Sequence, residues 1–471
     1  MGVFQIFALL AALLPLRAFG AGGPAAGRVP SKQGWVALAS AGALVAVFAG
    51  YVVAFAGAVA EVHPASVLAG LPIRFVNAIT KETVRASRAD DLLLLALAEA
   101  VLLGIFLFNL GALGPRTRRA TIGILAAGLA AAALATPAAD SGDPYFYVGL
   151  ATLGAHAYAP PATPFSGDLR AINAIWGTPM FASTYGPVWI AVSALLVAPL
   201  GTLAAKLYAF KVLGLGSVLG CAYLARRLGA ARVVVAGIAC NPALYLMYAA
   251  NAHNDLFAVD LVLAAMLVAR RGAVLAFAFA LAASLVKITL APVALLAVAP
   301  WPSLRARASF AALLALGVGI VYGLHGGVMW HALISTSRAF AHPASPLDIA
   351  LRAGLVALAL ASSAWTVAKG RVRAQSAWAP PAFGDSALPS YATWGLPLAL
   401  TSTPVATVYL VTLPFLTFFQ CTALPVTPAL DVAGDGFILA TIAVVAYRLR
   451  PRSLGGEQLA ISPVRERISK S

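Results

Sequence analysis

The stretch that decides the fold runs from residue 114 to residue 147. It reads Gly114-Pro-Arg-Thr-Arg-Arg119, then the apolar run ATIGILAAGLAAAALA at 120–135, then Thr136-Pro-Ala-Ala-Asp140-Ser-Gly-Asp143-Pro-Tyr-Phe-Tyr147. An apolar run of this kind predicts a membrane-crossing helix. Basic loops stay on the cytoplasmic side of a membrane, so we expect 114–119 inside and Asp143 outside. A carboxylate at the mouth of a membrane bundle is costly to hold there and is usually functional.

The composition of the whole chain predicts an integral membrane protein. Of its 471 residues, 61% are hydrophobic and 10% are charged. A soluble globular domain carries about 25% charged residues, so a soluble fold is excluded. The net charge of +16 comes from short basic clusters between apolar runs. Such clusters are typical of orientation signals, and we therefore expect no nucleic-acid partner.

Apolar windows of about 20 residues define the predicted membrane helices. The clearest ones lie at 35–58, 92–113, 120–138, 203–225, 233–250, 309–324, 355–367, 395–419 and 437–447. The basic clusters between them are Arg28/Lys32, Arg116/Arg118/Arg119, Arg226/Arg227/Arg232, Arg270/Arg271, Arg305/Arg307, Lys369/Arg371/Arg373 and Arg448/Arg450/Arg452. All of these clusters can be cytoplasmic at once. The sequence thus predicts an all-α, multi-pass protein of the inner or plasma membrane, with about 11 to 13 transmembrane helices.

Two segments are too short for ordinary crossings. Residues 273–301 must cross an even number of times between Arg271 and Arg305, which predicts short or broken helices around Lys287 and Pro292. Residues 190–200 predict a helix lying on the membrane surface, within a large first outward loop.

Four regions follow from this topology. Residues 1–91 hold N-terminal membrane segments and an outward loop, 92–302 form the core, 303–450 are C-terminal membrane helices, and 451–471 are a cytoplasmic tail. The apolar run at 4–16 is an additional helix or interfacial segment, or alternatively a signal peptide, although no basic residues precede it.

The large outward loop holds the first candidate site. It contains Asp143 and Tyr147, and later Tyr185-Gly-Pro-Val-Trp189. A carboxylate can act as a base, and aromatic rings suit stacking on sugars. The alternative is that Asp140 or Asp143 only caps the helix that begins near Pro144, because Asp before Pro is a frequent helix start.

A second polar cluster follows the predicted helix at 233–250. It reads Asn251-Ala-His253-Asn254-Asp255, and parity places it on the same outward side as Asp143. So many polar side chains between apolar segments are unfavourable against lipid, which favours a functional role over a simple polar turn.

Lysines within apolar segments complete the candidate residues. Lys287 lies in Ala283-Ser-Leu-Val-Lys287-Ile-Thr and either joins the site or extends to the membrane interface. Lys206 and Lys211 lie about 140° apart around one helix axis. Only one of them is therefore expected to face the site, and we choose Lys211.

Together these residues suit sugar transfer from a lipid-linked phosphate, with a base for the acceptor hydroxyl and cations for the departing phosphate. Their order resembles that of the polyprenol-phosphate-mannose-dependent α-mannosyltransferases of the GT-C superfamily, especially the bacterial α-1,6-mannosyltransferases. The likeness covers roughly 92–302. Its motifs are Ser-Gly-Asp143-x-x-x-Tyr147, Tyr185-Gly-Pro-Val-Trp189, Lys206 or Lys211, Ala-Arg-Arg-Leu-Gly229, Asn241-Pro-x-Leu, His253-Asn-Asp255 and Val286-Lys287.

The resemblance implies an inverting glycosyltransferase that moves mannose, or another sugar, from a polyprenyl-phosphate donor to an outward-facing glycan or glycolipid. Asp143 would be the catalytic base. The expected substrate-binding residues are Tyr147, Tyr185, Trp189, Lys206, Lys211, His253, Asn254, Asp255 and Lys287, with Arg338 as a further cation for the phosphate. No cofactor is required. Asp255 could hold a divalent metal with Asp143, but we expect it to orient His253, because a metal site would need more oxygen ligands.

Two other classes of function stay open on the sequence alone. A transporter or flippase for a lipid-linked sugar would show inverted repeats and charges on both sides of the midplane, whereas the polar residues here gather on one face. A structural subunit would leave the cluster at 253–255 unexplained.

Overall fold

The computed structural model describes residues 115–135, 141–324, 327–329, 331–332, 346–383, 389–410 and 413. This part of the chain forms helices joined by loops and contains no strand, so the all-α prediction is confirmed for it. The predicted spans at 35–58, 92–113 and 437–447 lie outside the described residues, as do 4–16, Asp140, Arg338 and the tail at 451–471.

The main helices are numbered here in chain order. They are α1 (Pro115–Ala135), α2 (Asp143–Leu153), α3 (Arg170–Trp176), α4 (Pro187–Val197), α5 (Leu203–Arg227), α6 (Arg232–Ala239), α7 (Asp255–Val268), α8 (Ala273–Val286), α9 (Leu304–Leu324) and α10 (Pro346–Lys369). Short helical segments lie between these helices, including a π-helix at Tyr245–Ala250, and others follow α10, including 3-10 helices at Ala374–Trp378 and Pro389–Gly395.

Within the described residues, two helices are long and apolar enough to cross a membrane. They are α5, with 25 residues, and α9, with 21 residues. A third crossing is formed if α6 and the helical segment Pro242–Ala250, which meet at 41°, count as one broken span. These elements match the predicted spans at 203–225, 309–324 and 233–250.

Both long helices expose apolar side chains along one stripe. On α5 these include Tyr208, Val212 and Leu219, and on α9 Leu313, Leu316 and Ile320. A contiguous exposed apolar stripe is unfavourable in water and favourable against lipid. The packing therefore agrees with membrane association.

The predicted break around Lys287 is confirmed. Helix α8 ends at Val286, and Lys287 adopts an extended backbone with φ −148° and ψ 112°. The chain continues in short turns at Ile288–Leu290, Ala291–Ala294 and Leu295–Val298. The break takes Lys287 out of the helical path and directs its side chain to Asp255, which lies at the start of α7.

Helix α4 has 11 residues, which is the short length expected of a surface helix. It packs on α2 and α8 through a buried stripe that includes Trp189, Ser193 and Val197, while Leu195 on its other side is 77% exposed. Its position relative to a bilayer stays a prediction.

The helices around the site approach each other closely at two glycines. A Cβ at Gly214 on α5 would overlap the carbonyl of Tyr248 in the π-helix, and a Cβ at Gly186 would overlap the carbonyl of Leu285 on α8. Small residues allow membrane helices to pack backbone against backbone. These contacts fix the π-helix on α5 and the 185–187 segment on the end of α8.

Arg307 holds together the end of the bundle that we predict to be cytoplasmic. Its guanidinium is buried and donates to the carbonyls of Val367 at 2.6 Å and Ala368 at 3.0 Å, at the C-terminal end of α10. It also donates to the carbonyls of Trp301 and Pro302, which precede α9. A cation at these carbonyls satisfies groups that a helix end leaves without intrahelical partners.

Candidate functional site

Asp143 is the centre of a hydrogen-bonded cluster on α2. Its Oδ2 accepts from the phenol of Tyr147 at 3.0 Å and from that of Tyr185 at 3.4 Å, and it lies 2.8 Å from Nδ1 of His253. Within the described part of the chain, the other carboxylate oxygen, Oδ1, accepts no hydrogen bond. The side chain keeps 17% of its surface exposed. One oxygen is thus held by three neighbouring groups, while the other keeps its hydrogen-bonding capacity within the described part of the chain.

The helix-capping interpretation does not hold for Asp143. Gly142 occupies the N-cap position of α2, and the Asp143 carboxylate accepts from no backbone N–H of the helix. Instead, the backbone N–H of Asp143 donates to Ser141 Oγ at 3.0 Å, and Trp176 donates its indole N–H to the Gly142 carbonyl at 2.9 Å. These contacts fix the first turn of α2 from outside.

Helix geometry and backbone contacts bring the two tyrosines to the carboxylate. Tyr147 follows Asp143 by four residues, so both side chains lie on the same face of α2. The Tyr185 carbonyl accepts from the hydroxyls of Ser183 at 3.2 Å and Tyr158 at 3.1 Å. The next residue, Gly186, donates its N–H to the Val286 carbonyl at 3.0 Å.

His253 reaches Asp143 because the chain leaves the π-helix in an irregular turn. The N–H of Asn251 donates to the Leu246 carbonyl and that of His253 to the Met247 carbonyl. Ala252 between them has a φ of 56°, which non-glycine residues rarely adopt. π-Helical turns and such backbone conformations are enriched at functional sites.

Asp255 belongs to a second cluster. Its Oδ1 accepts from the Lys287 ammonium at 2.5 Å and from the Trp394 indole N–H at 2.7 Å. Asp255 is 1% exposed, because it begins α7 and its side chain enters the bundle. The expectation that Asp255 orients His253 was therefore wrong, since each of the two residues has a different partner.

The surroundings keep Asp143 ionised and the two phenols protonated. Burial alone would raise the pKa of Asp143, but the nearby His253, the Lys287 charge and the Tyr147 hydrogen bond bring that pKa below its usual value. Burial and the negative charge of Asp143 raise the pKa values of Tyr147 and Tyr185 well above the usual value. Both phenols therefore act as donors to a carboxylate at neutral pH.

Three aromatic residues expected to bind sugar are largely buried. Trp189 is 1% exposed, and its ring packs edge to face on Tyr147 at 4.8 Å and against Phe210 at 6.0 Å. Tyr147 is also buried, and Tyr185 is 8% exposed. In this structure Tyr147 and Tyr185 donate to Asp143, and Trp189 packs against Tyr147. Binding of a sugar by these rings stays a prediction.

Asn254 lies between His253 and Asp255 and is 1% exposed. Neither its amide nitrogen nor its amide oxygen has a hydrogen-bond partner within the described residues. Its side chain is enclosed, so contact with a substrate would require local movement.

The lysines of α5 lie away from the contacts described for Asp143. Lys211 is buried, and its ammonium donates to the Leu134 carbonyl at 3.0 Å, near the C-terminal end of α1. Lys206 is half-buried. Of the two, Lys211 faces the bundle more fully, while a role toward a phosphate stays a prediction for both.

Sequence reasoning did not find Tyr391 and Trp394, which surround Lys287 together with Tyr185. The available signal was the aromatic stretch Tyr391-Ala-Thr-Trp394 directly before an apolar segment.

In the described residues, no group of three or more His, Cys, Asp or Glu side chains lies close enough together to hold a metal ion. The chain matches no protein-family model, no curated protein and no solved structure.

Proposed function

We propose that this protein is an inverting membrane glycosyltransferase that transfers a sugar from a polyprenyl phosphate to an outward-facing glycan or glycolipid. The observation that carries the proposal is the Asp143 carboxylate, whose Oδ2 is held by Tyr147, Tyr185 and His253 while Oδ1 accepts no hydrogen bond from the described residues. A rigidly held, ionised and partly exposed carboxylate suits general base catalysis.

In this mechanism an acceptor hydroxyl attacks the anomeric carbon of the donor sugar. A bond forms between the acceptor oxygen and the anomeric carbon, and the bond from that carbon to the phosphate oxygen breaks, its electron pair leaving with polyprenyl phosphate. The hydroxyl proton passes to Oδ1 of Asp143. A carboxylate is a sufficient base, because the hydroxyl becomes acidic as the new bond forms. The departing phosphate already carries charge and needs no proton.

The membrane context supports a lipid-linked donor. The described chain has helices apolar enough to cross a bilayer, and their exposed stripes face outward from the bundle. We infer a GT-C-like architecture of about 11 to 13 crossings, with the core at 92–302 and the site on the outward side of the inner or plasma membrane. The donor would then arrive laterally from the bilayer, with mannose as the first sugar to test.

A transfer assay with purified protein tests this function. Protein reconstituted in lipid nanodiscs would receive radiolabelled polyprenol-phosphate-mannose and a panel of glycan and glycolipid acceptors. We expect labelled product with the native protein and none with Asp143→Asn, and no transfer when GDP-mannose or a UDP-sugar is the only donor. Transfer from a nucleotide sugar without any polyprenyl phosphate would contradict the proposal.

A further inference from the structure

The ammonium of Lys287 is enclosed by groups of this chain. It lies 2.5 Å from Asp255 Oδ1 and 4.6 Å from the centroid of the Tyr391 ring. The rings of Trp394 and Tyr185 lie at 5.1 Å and 5.3 Å from it. The side chain of Lys287 is 12% exposed. Aromatic faces attract a cation electrostatically, so one carboxylate and three rings together satisfy this ammonium without a ligand.

The same enclosure is linked to Asp143. The ring of Tyr185 is one of the three that surround the Lys287 ammonium, and its phenol donates a hydrogen bond to Asp143 Oδ2 at 3.4 Å. The backbone segments next to Tyr185 and Lys287 are also hydrogen-bonded to each other. The N–H of Gly186, which follows Tyr185, donates to the carbonyl of Val286, which precedes Lys287. A displaced Lys287 would therefore release Tyr185 on one side and the Pro389–Gly395 helix on the other.

We propose that Lys287 is a positioning residue, paired with Asp255, that fixes Tyr185 and the Pro389–Gly395 helix beside Asp143 and does not bind the donor phosphate. This replaces the sequence-based expectation of a phosphate-binding lysine. The activity readouts below rest on the proposed glycosyltransferase function, whereas the spectroscopic and stability readouts do not.

Charge makes the proposal measurable. The groups that face Asp143 are His253, Lys287 and the phenols of Tyr147 and Tyr185, and Asp255 acts on the same two phenols. Lys287 lowers the pKa of Asp143. Loss of Lys287 alone removes that cation and leaves Asp255 uncompensated, so both changes raise the pKa of Asp143. Loss of both partners removes a cation and an anion together, and the two effects oppose each other.

The experiment compares Lys287→Met, Asp255→Asn and the double variant Lys287→Met/Asp255→Asn with the native protein. Lys369→Met is the matched control, because Lys369 lies 5.9 Å from the Trp365 ring on the exposed end of α10 and has no part in the site. Four quantities are measured: kcat/KM for sugar transfer, the dissociation constant of radiolabelled polyprenol-phosphate-mannose, the unfolding temperature, and the protonation of Asp143 by infrared spectroscopy with carbon-13-labelled aspartate.

If Lys287 positions Tyr185 and the Pro389–Gly395 helix, Lys287→Met lowers kcat/KM by about 10²-fold, because a small displacement of groups at a reacting centre can cost that much in rate. The double variant recovers most of this loss and most of the lost unfolding temperature, because removing one partner of a buried ion pair costs more than removing both. Its donor dissociation constant stays close to the native value. The pKa of Asp143 is then lowest in Asp255→Asn and highest in Lys287→Met. The native protein and the double variant have similar values between these two.

If Lys287 binds the donor phosphate, every variant without it binds the donor equally weakly, and Asp255→Asn rescues nothing. That result would overturn the proposal, as would a double variant that fails to fold while Lys287→Met folds. If the Lys287→Met protein does not accumulate in cells but the double variant does, the proposal is supported. A native protein that neither binds nor uses the donor would reject the glycosyltransferase function, while the unfolding temperatures of the single and double variants would still test whether Lys287 acts as the structural partner of Asp255.

Discussion

At the scale of single residues, Asp143 combines an ionised carboxylate with one oxygen that accepts no hydrogen bond from the described chain. Asp143→Asn should lower transfer by about 10² to 10⁴-fold, the usual cost of losing a general base, with normal protein level and donor binding. Asp168→Asn is a matched control in the same loop, because Asp168 accepts from the Leu203 N–H at 2.6 Å, where asparagine serves equally well. Asp140→Asn should be much milder than Asp143→Asn, and the reverse order would move the base to Asp140.

Tyr147→Phe tests how the hydrogen bonds on Oδ2 set the acidity of Asp143. The Tyr147 phenol lowers the pKa of Asp143, so its loss raises that pKa. Base catalysis needs the carboxylate, which is lost as pH falls through this pKa. The acidic limb of the pH–kcat/KM profile should therefore move to higher pH in Tyr147→Phe, with a smaller change on the plateau. An acidic limb at the native position would show that Asp143 does not control it.

The pairing of His253 with Asp143, and not with Asp255, predicts a particular pattern of couplings. In double-mutant cycles of kcat/KM, His253→Ala and Asp143→Asn should be strongly non-additive, because coupled groups fail together. His253→Ala and Asp255→Asn should come closer to additivity, since Asp255 contacts Lys287 and Trp394. Equal non-additivity in both cycles would instead indicate a single unit of three residues.

At the scale of helices, the buried Arg307 should matter for stability and little for chemistry. Arg307→Met leaves the carbonyls at the end of α10 without their donor, and each hydrogen bond to a charged group contributes about 1.5 to 3 kcal/mol. The unfolding temperature in detergent should therefore fall by several degrees. Arg305→Met changes an exposed arginine of the same helical turn and should have little effect. Equal decreases in the unfolding temperature of the two variants would contradict this stabilising role of Arg307.

The sequence predicted elements that depend on local pattern or on length. The break at Lys287 followed from arithmetic, because too few residues lie between two basic clusters for two full helices. The sequence did not predict the π-helix at 245–250, whose Tyr248 carbonyl packs closely against Gly214, or the positive φ of Ala252 in the irregular turn that follows it. Trp394 was missed for another reason: its partner Asp255 lies far away in the sequence, and only the fold joins them.

At the scale of the whole molecule, the topology is a direct test of the orientation rules. A cysteine replacing the exposed Ser166, in the predicted outward loop, should react with an impermeant thiol reagent added to intact cells. Ser303→Cys, beside the predicted cytoplasmic end of α9, should react only after permeabilisation. Cys221 and Cys240 are buried and should contribute little background, and the third cysteine, Cys421, is replaced by serine in both variants. Labelling of the two positions in the opposite order would overturn the orientation and the mechanism with it.

The π-helix at Tyr245–Ala250 also bears on how this site tolerates insertions and deletions. A π-turn holds one more residue than the α-helical turn that it replaces, and each residue of an α-helix rotates the chain by about 100°. Deleting one residue at 249 would restore regular helical winding before the turn and turn His253 away from Asp143. Such a shortened chain should lose transfer, so the extra residue makes this buried helical segment sensitive to its length at one point.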